Sequence, residues 1–322
     1  MANENESTVE TKTLPGQSHY VSEIDETGLG AVDAVADDRA PSSIWAEAWK
    51  YLRKRPLFWV AAAIIMFAVM LAAFPSLFTS VDPKFCELKN SYGQPSAGHP
   101  FGFDRQGCDI MARTVYGARA SVIVGILTTV VVVLIGGTFG TLAGYFGGWL
   151  DSILSRITDI IFAVPFLLAG IVVMQMFREN RTIFTVVLVL AVFGWPQIAR
   201  ITRGAVMQTK TEEFVNAAKA LGESKIRIIL RHIVPNATAP MIVYATVALG
   251  TFIVSEATLS FLGVGLPSDV VSWGGDISRA QSALRQNPSV LFYPAGALAM
   301  TVLSFIMMGD VVRDALDPKA RK

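Results

Sequence analysis

The chain has 322 residues, 52% of them hydrophobic and 16% charged, with a net charge of +1 and a mean hydropathy of +0.47. Soluble domains average about 25% charged residues, so this composition excludes an ordinary soluble globule. Without a basic excess there is no electrostatic footprint for nucleic acid.

Residues 1–44 are rich in acids, from Glu4 to Asp38, and poor in apolar runs. Such a segment cannot bury enough surface to offset its ordering entropy, so a disordered acidic cytoplasmic tail is expected. No cleavable signal pattern is visible, and the first apolar segment is expected to act as the insertion signal. Residues 45–56 read as a juxtamembrane amphipathic helix, with Ala48, Tyr51 and Leu52 between Lys50, Arg53 and Lys54, or as a plain linker.

Residues 57–322 hold the membrane domain. A bilayer core of about 30 Å needs roughly 20 apolar residues in a helix. Six stretches meet or approach that length: Leu57–Phe78, Ser121–Phe146, Ile160–Phe177, Ile183–Ala199, Ala239–Leu262 and Leu291–Met308. The predicted fold class is therefore an all-α, polytopic membrane protein with six transmembrane helices. With both termini placed in the cytoplasm, and the acidic tail left out of the count, sixteen Lys and Arg fall inside and nine outside, the direction of the positive-inside bias. Gly136, Gly140 and Gly144 recur every fourth residue, a smooth stripe that lets helices approach closely in lipid.

The loop over 79–118 would then be extracytoplasmic, and it holds both cysteines, Cys86 and Cys108. That compartment permits a disulfide between them; two independent thiols are the alternative. No metal-ligand cluster accompanies them.

The longest cytoplasmic loop, 200–238, has the pattern helix–glycine–helix. Thr209-Lys-Thr-Glu212 predicts a capping box. Phe214, Ala217, Ala218 and Leu221 share one helical face, and Gly222 ends the helix. Ile226, Ile229, Leu230 and Ile233 form a second apolar face, with Pro235 expected to stop it. These faces need a partner: the membrane surface, the chain's own bundle, or a groove in another protein. Glu256 lies inside the fifth span, where an acid is costly. It reads either as a residue of the pathway or gate, or as a hydrogen bond tying two helices.

Asn216-Ala217-Ala218, three residues, Gly222, nine residues and His232-Ile233-Val234-Pro235 resemble the cytoplasmic loop of ATP-binding-cassette (ABC) importer permeases. That family's pattern is Glu-Ala-Ala, three residues, Gly, nine residues, Ile-x-Leu-Pro. Asn216, His232 and Val234 depart from it. "HPFGFDRQGCDIMARTVYGARAS" (99–121), "SEATLSFLGVGLP" (255–267), "WGGDI" (273–277) and "GDVVRDALDP" (309–318) are similar to the C-type subunit of dipeptide and oligopeptide importers. Cys108 stands where that family commonly has Arg, which favours a bridge with Cys86.

The resemblance implies a type I importer permease fold in a bacterial inner membrane, lipid around it, and no catalysis in this chain. It implies four partners for a peptide substrate: a homologous second permease, two ABC ATPase subunits and an extracytoplasmic substrate-binding protein. ATP and Mg would be bound by the ATPases, consistent with the lack of a GxxxxGK[ST] motif here. Glu212, Glu213, Phe214, Asn216, Ala217, Ala218, Leu221 and Gly222 would form the coupling helix that meets an ATPase. Haem or a nickel complex is an alternative cargo for such permeases. A stand-alone secondary transporter or channel would need paired intramembrane ionisable groups, and only Glu256 is present. No HExxH or GxSxG pattern supports a membrane enzyme.

Overall fold

The computed structural model describes residues 44–316, and the disordered tail expected over 1–44 falls almost wholly outside them. The described residues form ten helices, with a long loop over 74–109 and no strand among them. They are α1 (Ile44–Leu52), α2 (Pro56–Ala73), α3 (Ile110–Phe146), α4 (Gly148–Phe162), α5 (Phe166–Met176), α6 (Ile183–Thr209) and α7 (Glu213–Ala220). They continue with α8 (Lys225–Phe261), α9 (Trp273–Ala280) and α10 (Ser289–Leu316).

Five of these, α2, α3, α6, α8 and α10, are long and apolar enough to cross a membrane. The third expected span, Ile160–Phe177, is not one helix. The chain breaks after Phe162, and α5 leaves α4 at 81°. Pro165 explains the break, because its ring pushes Val164 out of the helical region and it has no N–H to donate. Counting the bent pair as one span gives six.

α3 is the spine. Its 37 residues make a rod about 55 Å long, well beyond a bilayer core. Asp109 caps its start by accepting the Ala112 N–H at 2.5 Å. Gly136, Gly140 and Gly144 lie against the backbone of α6 at Trp195, Ala199 and Arg203, so the stripe is where these two helices meet. Val124, Val132, Leu190, Ile198, Phe252 and Leu259 bring α3, α6 and α8 into one apolar core. α1 packs on α10, so the chain's own last helix partners it.

The second half of the loop over 200–238 differs from its expected form. Pro235 does not end a helix. Lys225–Ile228, a π-type turn over Ile229–Ile233 and Val234–Phe261 run on as α8. The wider turn accommodates the missing proline N–H, as π-bulges do. Met66, Phe67, Val172, Met176, Phe184 and Leu188 are exposed large apolar side chains. That pattern suits acyl chains in place of water, since lipid supplies no drive to bury them.

Candidate functional site: a clamped helix with an exposed apolar face

α7 is the eight-residue helix between the last turn of α6 and the start of α8. The expected capping box is absent. α6 runs on to Thr209, whose hydroxyl donates to the Ala205 carbonyl at 2.9 Å inside that helix. Glu212 sits at the N-cap with no side-chain hydrogen bond, and Glu213 follows in the first turn, where a negative charge suits the helix dipole. The C-terminal glycine behaves as expected. Gly222 has φ 77°, its N–H donates to the Lys219 carbonyl, and the Glu223 N–H donates to the Ala218 carbonyl. These two bonds satisfy the last carbonyls in a Schellman pattern.

The predicted apolar face divides in two. Ala218 is buried, together with Val215, against Val206, Ile228, Ile233 and Ala237. Ala218 therefore packs inside this chain and does not belong to an outward surface. Val215 was missed because α7 carries apolar residues on more than one side, and spacing alone does not say which side turns inward. Phe214, Ala217 and Leu221 stay exposed, Leu221 at 85%. Ile226 and Leu230 of α8 are exposed too. Asn216 donates to the Thr211 carbonyl at 3.3 Å and accepts from Lys219 Nζ at 3.2 Å, which ties the helix to its own linker. His232 lies 3.1 Å from Glu223 across the turn. The result is a short helix pinned from behind and apolar in front.

Glu256 is 0% exposed. Ser121 of α3 donates to one carboxyl oxygen and Ser260 to the other, each at 2.8 Å. The same Ser260 oxygen accepts the Leu266 N–H at 3.1 Å. Of the two readings of Glu256, pathway residue or tie between helices, these contacts match the tie: both oxygens find hydroxyls inside the chain's own bundle. This is the helix-tying arrangement, extended to the turn after α8.

Cys86 and Cys108 are joined in the loop between α2 and α3, with Cα atoms 4.1 Å apart. Beside the bridge, Gly107 has φ 74°, and a Cβ there would run into the Glu87 carbonyl. A charge cluster next to this loop had no sequence signal, since its members lie 163 residues apart. One oxygen of Asp276 accepts from Arg113 Nε at 3.0 Å, Arg113 Nη2 at 2.5 Å and Arg279 Nη2 at 2.7 Å. Burial pushes the Asp276 carboxyl up to about 6; the Arg113 charge and hydrogen bonds pull against this, and Asp104 adds to it. Trp273 is buried beside it and donates Nε1–H to the Thr114 carbonyl at 2.8 Å.

Asp151 and Asp159 pair within the chain. Asp151 meets Arg203 and Asp159 meets Arg200.

Residues 136–322 match the family described as the inner membrane component of binding-protein-dependent transport systems. Residues 43–95 match the N-terminal membrane domain of oligopeptide transport permease C. The oligopeptide transport system permease protein OppC of Bacillus subtilis (strain 168) is 39% identical over 292 residues, covering 91% of this chain and 95% of that protein. The chain belongs to the permeases of binding-protein-dependent ABC transport systems. Another relative of this permease is the glutathione transport system permease protein GsiD of Escherichia coli O6:K15:H31, 34% identical over 92% of this chain and 97% of that protein. Among solved structures, the inward-facing MetNI methionine ABC transporter aligns with a TM-score of 0.54 at 20% identity, over 65% of this chain and 98% of that one. At that identity the likeness shows the shared fold. As an importer permease the chain is not an enzyme; it works with ATPase partners and a second permease.

Proposed function

We propose that this permease carries short peptides into a bacterial cytoplasm, with α7 as the lever on which an ATPase subunit rests. The observation that carries this reading is the set of exposed apolar residues on two successive helices, Phe214, Ala217 and Leu221 at α7 and Ile226 and Leu230 at the start of α8, while the other side of α7 is locked into the chain's own core. A rigidly backed apolar ridge at the end of two long spans suits a groove in another protein. The loop spacing from Ala217-Ala218 to Gly222 and Pro235 supports the same reading, and the Lys and Arg distribution supports placing this end and both termini in the cytoplasm.

In this account ATP and Mg are held entirely by two ATPase subunits. Their closure moves α7 and its counterpart in a homologous second permease, and the pair rocks between inward-open and outward-open states. An extracytoplasmic binding protein delivers the cargo and sets most of the selectivity. The names of the oligopeptide and glutathione relatives support a peptide over haem or a nickel complex.

The test replaces Phe214 and Leu221 together with Asp in the assembled transporter. The chain should still insert and fold, while ATPase co-purification and uptake of a labelled tripeptide both fall, each by about ten-fold or more. Unchanged ATPase capture by that variant would remove α7 as the docking helix.

A further inference from the structure

α4 is hung between two bends. At its start Gly147 and Gly148 have φ of 65° and 59°, and a Cβ at either position would meet nothing within 4 Å. Two successive residues in that region make a joint that L side chains rarely adopt. At its end the chain breaks before Pro165 and turns by 81° into α5.

Between the bends α4 has two unlike faces. Trp149, Ile153, Ile157 and Ile160 are exposed and apolar. The opposite face carries Asp151 and Asp159, eight residues apart and so on one side of the helix. Asp151 accepts from Arg203 Nε at 2.5 Å and from Nη2 at 2.7 Å. Asp159 accepts from Arg200 Nη2 at 2.5 Å, and the Arg200 guanidinium lies 4.1 Å over the Phe162 ring.

Apolar packing does little to hold α4 here. Thr158 is its only buried residue, and a cavity of about 320 Å³ lies beside it, lined by Phe139, Leu154, Thr158 and Trp195 together with Asp159, Arg200 and Arg203. Ion pairs this exposed add little to stability. A two-pronged arginine contact does fix orientation, because both N–H bonds must stay aligned.

Both arginines sit near the end of α6, and only Lys210, Thr211 and Glu212 separate α6 from α7. Lys210 Nζ also donates to the Gly144 carbonyl at 2.8 Å, beside the glycine joint.

We propose that the Asp151–Arg203 and Asp159–Arg200 pairs make α4 travel with α6, so that a push on α7 is delivered to the bent α4–α5 segment. The four residues are positioning residues for coupling, and the Gly147–Gly148 joint and the Pro165 break absorb the motion. This rests on the importer reading, in which α7 receives the push.

The test uses the complete transporter in proteoliposomes, with radiolabelled tri-alanine uptake and ATP hydrolysis measured on the same preparation. Asp151→Arg should lower peptide taken up per ATP by about ten-fold, within the usual range of coupling energies. Asp151→Arg combined with Arg203→Asp should recover to within about three-fold, since the pair is restored with reversed sign. A second arm joins Asp159→Cys to Arg200→Cys with a short bis-maleimide, which alkylates both thiols. Uptake should persist with the link in place, because the two helices move as one.

The proposal is overturned if Asp151→Arg keeps normal uptake per ATP. It is equally overturned if the swap gives no recovery, or if the cross-link stops uptake. The cross-link arm stands even if the inverted variant does not assemble. A wild-type transporter that takes up no tri-alanine would count against the peptide reading instead, and the ATP arm would then be run on its actual cargo.

Discussion

Replacing Gly140 with Ala tests the helix packing on which the whole arrangement hangs. A Cβ on Gly140 would press on the Ala199 carbonyl and would stand 2.7 Å from Thr202 Cβ and 3.0 Å from Arg203 N. Ordinary contact begins at 3.4 Å, so α6 must retreat by several tenths of an ångström or more. Backbone supplies two of these three contacts, so no rotamer change relieves them. Overpacking of this kind costs about 1–3 kcal/mol. Scaled as for a domain of this size, that lowers the melting temperature by roughly 2–10 °C. The assay is thermal unfolding of the detergent-solubilised chain followed by size-exclusion fluorescence. Gly204→Ala on α6 is the control, because nothing lies within 4 Å of its Cβ position. There the loss of glycine's chain entropy should leave stability unchanged or raise it by up to about 1 kcal/mol. A Gly140→Ala chain as stable as wild type would refute the reasoning, as would equal damage from both substitutions.

Ala218→Asp buries a carboxylate among Val206, Val215 and Ile233 and should cost the stable fold, whereas Leu221→Asp should fold normally; expression and melting of the two variants separate these outcomes. Cys86 and Cys108 should resist alkylation until reduced, by mass spectrometry of the intact chain, and two freely reactive thiols would contradict the bridge. Asp276 should set a pH dependence of stability. Its folded carboxyl, at about 6, lies above the free value of 3.8, so its contribution is present below about pH 4 and is lost as pH rises through about 6. Asp276→Asn should flatten that slope in a melting series over pH 4–7, and an unchanged slope would assign it to another group.

Several features were readable directly from the residues. The five long spans follow from apolar run length, a close helix contact along α3 from glycines at every fourth residue, and the end of α7 from Gly222. Pro165 could have marked the break in the third span, since a proline inside an apolar run punctuates it, yet hydropathy averages over a single residue. Pro235 misled in the opposite direction: it suggested a stop, while a π-type turn carries the helix through it. The inward side of α7 was not legible, because Ala217 and Ala218 are chemically alike and only tertiary packing separates them. Nor were the ion pairs of α4 with α6 and of Arg113 with Asp276, whose partners lie 41 to 163 residues apart. Glu256 was flagged by its cost in lipid, but the two hydroxyls that donate to it, Ser121 and Ser260, and the Leu266 N–H that Ser260 in turn accepts, emerge only from the fold.

Peptide accumulation by vesicles carrying this permease, its second permease, the ATPases and the binding protein tests the central claim most directly. Accumulation of labelled tripeptide against a gradient should require ATP inside the vesicle and vanish when the ATPases are left out. Uptake that continued without the ATPases, driven by an ion gradient alone, would contradict it.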